Sequence, residues 1–158
     1  MENGKYGPGN TKFEKLTLSK VQFTHWDAVT YEKTGCGATA LGLLTGKNPI
    51  EIAAKAKKLP KGGLHFSDRF MVEFLRKNKF SVYQVNKANS SNRKVWRHTI
   101  MDNNLILFSL LTQKAESSWF ILYNHFLFHN YQITKANYLD FINFPTDSMY
   151  VLTKSDWA

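Results

Sequence analysis

The one cysteine of the chain, Cys36, stands in the run Thr34-Gly35-Cys36-Gly37-Ala38-Thr39-Ala40-Leu41-Gly42-Leu43-Leu44-Thr45-Gly46. Glycines flank the thiol, the apolar residues Ala38, Ala40, Leu41, Leu43 and Leu44 follow it, and Gly46 is a stop signal. This pattern predicts a helix that begins at the cysteine. Unpaired N–H groups and the positive end of the helix dipole then favour thiolate over thiol, which lowers a thiol pKa from about 8.5 toward about 3.5–7.5. The chemistry on offer is nucleophilic attack. The competing reading is packing, because free cysteines are among the most buried residue types.

A cysteine nucleophile needs a group that takes its proton and returns it, and imidazole titrates in the right range. Trp119 to Tyr123 and Phe126 to Asn130 read as two strands of a hairpin, with Asn124-His125 as a turn that accepts positive φ. Counting along that ladder sets Tyr123 against Phe126, His129 against Phe120 and Asn130 against Trp119. His125 then sits at the tip and His129 at the base, about 13 Å apart. The base of the hairpin, where a sheet holds a ring in place, favours His129 over His125. An orienting group for the imidazole is available in Asn130, Asp140 or Asn143, and the sequence does not rank the three. The candidate catalytic set is Cys36, His129 and Asn143. Asn130 follows His129 directly, so on a continuing strand its side chain faces the other way. His25, beside Trp26, reads as half of an amphipathic surface pair.

Residues 1–11 are rich in Gly, Pro and Asn and read as a loose N-terminus, with residues 12–158 as one domain. Phe13 to Phe23 alternates in part, as a strand or extended entry does. Asn48-Pro49-Ile50-Glu51 is a helix start with Asn48 as cap and Pro49 in the first turn, and this helix should run to about Leu59. Ser67-Asp68 opens another, with Phe70, Met71, Phe74 and Leu75 as its buried stripe. Phe80 to Val85 alternates as a strand; Leu105 to Leu111 is a continuous apolar run, as in a central strand; Ser148 to Thr153 reads as a closing strand. Val95 to Met101 suggests a short helical turn. Helices first and an antiparallel sheet second make an α+β domain.

With 158 residues, 43% apolar and 15% aromatic, the chain can bury one core. No apolar run approaches the ~20 residues that span a bilayer, and Met1 to Gly9 lacks the apolar segment of a secretory signal, so the expectation is a soluble cytoplasmic protein without membrane contact. A single cysteine excludes an internal disulfide. A zinc site would need three more ligands, and no histidines or carboxylates have that spacing, so no metal or cofactor is expected. The net charge of +9 favours anionic partners, whether nucleic acid, acidic protein surfaces or anionic lipid, and charge alone does not choose among them. Much of it lies in Lys55 to Lys61, the solvated face of a helix, and in Lys87 to Lys94, a basic linker.

Gly35-Cys36-Gly37-Ala38 opening a core helix, with histidine on an antiparallel sheet downstream, resembles the papain-like cysteine peptidase superfamily. Cys-Gly-Ala-Thr-Ala-Leu is similar to the cysteine motif of its bacteriocin-leader-peptidase branch, and the chain also resembles small uncharacterised proteins of tailed phages. The resemblance spans residues 20–153 in outline and about ten residues at motif level. It implies a papain-like fold, a peptide or protein substrate and acyl transfer through a Cys36 thioester, with the Cys36 N–H as one oxyanion donor. It also implies a host-cytoplasmic setting if the chain is phage-encoded. Two positions depart from it: Thr30 stands where the family carries an oxyanion-hole glutamine, and Ser118-Trp119 stands where the family's histidine opens a strand. The leading expectation is a cysteine peptidase or related acyl-transfer enzyme. The alternative is a catalytically weak or inactive scaffold that binds nucleic acid or an acidic protein.

Overall fold

The computed structural model describes residues 3–6, 11–18, 21–57, 66–85, 105–111, 117–135 and 146–154. Within them the chain is α+β. A three-stranded antiparallel sheet comes first, formed by β1 (Asn3–Tyr6), β2 (Thr11–Leu18) and β3 (Val21–Trp26) in that order. The helices α1 (Ala28–Thr45), α2 (Pro49–Lys57) and α3 (Asp68–Lys77) follow. A six-stranded antiparallel sheet is built from β4 (Phe80–Val85), β5 (Leu105–Leu111), β6 (Ser117–Tyr123), β7 (Phe126–His129), β8 (Gln132–Lys135) and β9 (Thr146–Lys154) in the order β4-β9-β5-β6-β7-β8.

Local chemistry accounts for the element ends. Asp27 caps α1, its carboxylate accepting from the Thr30 N–H at 2.9 Å and the Thr30 hydroxyl at 2.6 Å. Gly46 closes it in the left-handed region, φ 78, its N–H donating to the Gly42 carbonyl. Asn48 accepts from the Ile50 N–H at 3.0 Å ahead of α2, and Ser67 accepts from the Phe70 N–H at 3.2 Å ahead of α3. Asn124 (φ 50) and His125 (φ 67) make the two-residue turn between β6 and β7, and the register Tyr123 with Phe126 and Phe120 with His129 follows from it.

Two expectations change. Residues 3–6 pair with β2 as a strand instead of lying loose, because β2 offers them a free ladder edge. Phe13 to Phe23 is not one extended entry but parts of two strands turned back on each other. The closing strand forms as β9 and lies between β4 and β5. The short turn expected over Val95 to Met101 and the basic linker Lys87 to Lys94 lie outside the described residues.

The large sheet carries core on both faces. Against one face pack α1, α2, α3 and β3, around Phe23, Leu41, Ile52, Met71, Leu75 and Trp119. On the other face Val85, Ile106, Phe108, Leu122 and Met149 form a second cluster with Phe120, Leu127 and Val151. Burial on both faces is why β5 reads as an unbroken apolar run: Leu105 to Phe108 are all 4% exposed or less. Each such side chain contributes about 1.5–3 kcal/mol of transfer free energy.

Candidate functional site

Cys36 lies inside α1, but α1 is not one continuous helix. Gly35, at φ 87 and ψ 176, breaks the helical backbone, so the turn from Asp27 to Thr34 ends there and Cys36 opens a second helical segment. Thr39 anchors the break, its hydroxyl donating to the Gly35 carbonyl at 2.8 Å. The thiol is half-buried. Burial pushes its pKa above the ordinary value, opposed by the backbone N–H groups of Trp119, Cys36 and Gly37, which favour the thiolate. Desolvation wins, and the thiol is held protonated more strongly than a free one.

The two imidazoles of the hairpin do not reach this sulfur. Partners across an antiparallel ladder share a face, and successive residues alternate. Trp119, Ile121 and Phe128 point to the face where α1 and Cys36 pack. Phe120 points to the other face, and His129, opposite Phe120 in the ladder, stacks on its ring with centroids 4.0 Å apart. Phe120 in turn stacks on Phe108 at 5.3 Å. His129 therefore belongs to a three-ring stack on the far side of the sheet, and the expected Cys36–His129 dyad is corrected. Burial lowers the His129 pKa, and its Nε2 is buried without a hydrogen-bond partner among the described residues. His125 is exposed at the hairpin tip, where positive φ is its role. Asp140 and Asn143 lie outside the described residues.

The residue that does share the face of Cys36 is Asn130. With φ 59 it ends β7, and it lines a small cavity with Trp119, His25 and the α1 residues Thr39, Ala40 and Leu43. Those three follow Cys36 at helical spacing i+3, i+4 and i+7, so the cavity runs along the cysteine's own helix face. It has ≈ 10 Å³ of water-sized space, about one water molecule. The Asn130 Oδ1 is buried there without a partner among the described residues. His25 is nearby but engaged, with Nε2 2.7 Å from the Tyr131 carbonyl oxygen.

Tyr31 lies close enough to the thiol to feel its charge. The Tyr31 phenol is pushed up in pKa by burial and then by Cys36, Tyr131 and Glu32, and its ring lies 5.7 Å from that of Tyr131. Tyr31 was not legible as a neighbour of Cys36, because it precedes the break at Gly35, and Tyr131 meets Tyr31 only through the β7–β8 turn. Thr30 provides no oxyanion donor. Its hydroxyl is fully buried and committed to Asp27. Ser118 and Trp119 bracket the backbone N–H that meets the sulfur, while the Trp119 indole donates to the Phe66 carbonyl at 3.0 Å and ties the sheet to the segment before α3.

No group of three or more His, Cys, Asp or Glu side chains gathers into a metal-binding cluster among the described residues. No helix of the described structure is long and apolar enough to cross a membrane. Compared with known proteins, the chain matches no family model and no curated protein.

Proposed function

We propose that this chain is a papain-like scaffold whose helix-opening cysteine does not have the hairpin histidines as partners, and that it works by binding an anionic partner and not by acyl transfer. One observation carries the reading: Cys36 and His129 sit on opposite faces of the same sheet. A thiol whose pKa is raised, with both hairpin imidazoles out of reach and His25 engaged by the Tyr131 carbonyl, has no free base among the described residues to make it a competent nucleophile at neutral pH. The net charge of +9 then defines the partner's chemistry as acidic, whether nucleic acid or an acidic protein surface. The test is retention of the wild-type protein and Cys36→Ala on an immobilised polyanion across a salt gradient. Both should be retained at low salt and elute together; passage of the wild type straight through at low salt overturns the reading.

A second reading, a cysteine peptidase or acyltransferase with Cys36 as nucleophile, has one observation in its favour. The N–H groups of Cys36, Gly37 and Trp119 converge on the sulfur, and a tetrahedral oxyanion formed beside it would meet donors already in place. Alkylation of Cys36 faster than that of a free thiol at neutral pH would favour this reading.

A further inference from the structure

The cavity between β3, α1 and the hairpin is lined with carbon by Ala40, Leu43, Ile121 and Phe128, and Asn130 brings a carboxamide to the same walls. The Asn130 Oδ1 is buried and accepts from no group among the described residues. A carbonyl oxygen that leaves water for a protein interior keeps a hydrogen bond there, because losing hydration without a replacement is unfavourable. The side-chain donors around the cavity do not supply one. The His25 Nε2 faces the Tyr131 carbonyl at 2.7 Å, and since a carbonyl only accepts, that nitrogen carries the proton and spends it there. The Thr39 hydroxyl donates to the Gly35 carbonyl at 2.8 Å, and the Trp119 indole donates to the Phe66 carbonyl at 3.0 Å. The Trp26 indole nitrogen faces Gly42, 2.9 Å from where a Cβ there would lie.

Size selects the occupant. The ≈ 10 Å³ of the cavity matches one water-sized sphere and leaves no room for an organic group. A buried water makes two to four hydrogen bonds. Two acceptors suit its two protons: the Asn130 Oδ1, and the Thr39 hydroxyl oxygen, whose lone pairs stay open after its own proton goes to Gly35. The exposed Gln132, on the same walls, has an amide that can donate to the water oxygen.

We infer that this cavity is a binding site for a single structural water, held by the Asn130 Oδ1 and the Thr39 hydroxyl, which joins the end of β7 to α1 three residues after Cys36. The inference stands apart from the proposed binding of an anionic partner, since its groups carry no net charge.

The experiment is a high-resolution crystal structure of the whole chain, paired with water-to-protein cross-relaxation by NMR at the Ala40 and Leu43 methyl groups. The wild type should show one ordered oxygen about 2.5–3.0 Å from the Asn130 Oδ1, and cross-peaks of the sign that marks a water bound for longer than the protein tumbles. Asn130→Gly, which suits φ 59 at that position, removes the carboxamide and should lose both the density and the cross-peaks. Asn130→Asp keeps an oxygen in the same place and should retain them. A wild-type cavity without density, a protein donor on the Asn130 Oδ1, or a water that stays in Asn130→Gly would overturn the inference. So would a loss in Asn130→Asp as complete as in Asn130→Gly. The wild-type measurements decide the matter even where Asn130→Gly does not fold.

Discussion

Cys36 and His129 lie on opposite faces of one sheet, the thiol against the layer of Trp119 and Phe128 and the imidazole stacked at 4.0 Å on Phe120. One residue of strand separates Phe128, on the cysteine's side, from His129. That single step removes the base from the nucleophile, since side chains on a strand alternate between faces.

Alkylation of Cys36 should therefore be slow. Burial raises its pKa, so the iodoacetamide rate at neutral pH should be below that of free cysteine, and the rate should climb only above the pH at which a free thiol ionises. His129→Phe should leave the rate within about twofold, because the two side chains do not share a face. A rate-pH profile of both proteins checks this, and a tenfold loss in the variant would restore the dyad.

Stability should fall on mild acidification. Burial depresses the folded-state pKa of His129 below its ordinary 6.5, so the neutral ring is the form the fold accepts. The stability it permits is complete above about 6.5 and is lost as pH drops from there through the lowered pKa, where the unfolded chain binds the extra proton. In urea unfolding at pH 7.5 and pH 5.5, the wild type should lose more stability than His129→Phe, which continues the Phe108–Phe120 stack with a ring that carries no proton.

At the alkaline end Tyr150 should act in the opposite sense. Its hydroxyl donates to Asp68 at 2.6 Å, and its pKa is pushed up to about 12 by burial first, then by that carboxylate. The contribution is complete below the ordinary 10.0 and disappears as pH rises toward about 12. Tyr150→Phe should cost about 1–3 kcal/mol at neutral pH, since it removes a hydrogen bond to a charged group, and the gap to wild type should narrow as the phenol ionises. Denaturation curves of the two proteins at neutral and alkaline pH provide the comparison.

The backbone at Gly35 should tolerate no side chain. At φ 87 and ψ 176 it occupies a region essentially reserved for glycine, so Gly35→Ala should cost about 1–3 kcal/mol and disturb the turn that begins at Cys36. Gly46→Ala, in the left-handed region at φ 78, should cost about 1–2 kcal/mol. Thermal unfolding checks the pair. A Gly35→Ala variant as stable as the wild type would mean that α1 runs straight through Gly35.

What could be read from residue order was local. Gly46 as a helix stop, Asn48 and Ser67 as caps, and Asn124-His125 as the hairpin turn each depend on groups within about four residues of one another. The register that sets His129 against Phe120 followed from the turn by counting. That count already separated His129 from Asn130 by face.

Which of those faces meets Cys36 was decided elsewhere. The answer depends on α1 packing beneath Trp119, on β9 inserting between β4 and β5, and on the break at Gly35 that makes Cys36 the start of a second helical segment. The sequence by itself determined where elements begin, end and turn, because those choices are governed by hydrogen bonds and torsions along a short stretch of chain. Only the tertiary structure decided which side of the sheet the thiol shares, because that choice is made by burying apolar surface between segments far apart in the chain.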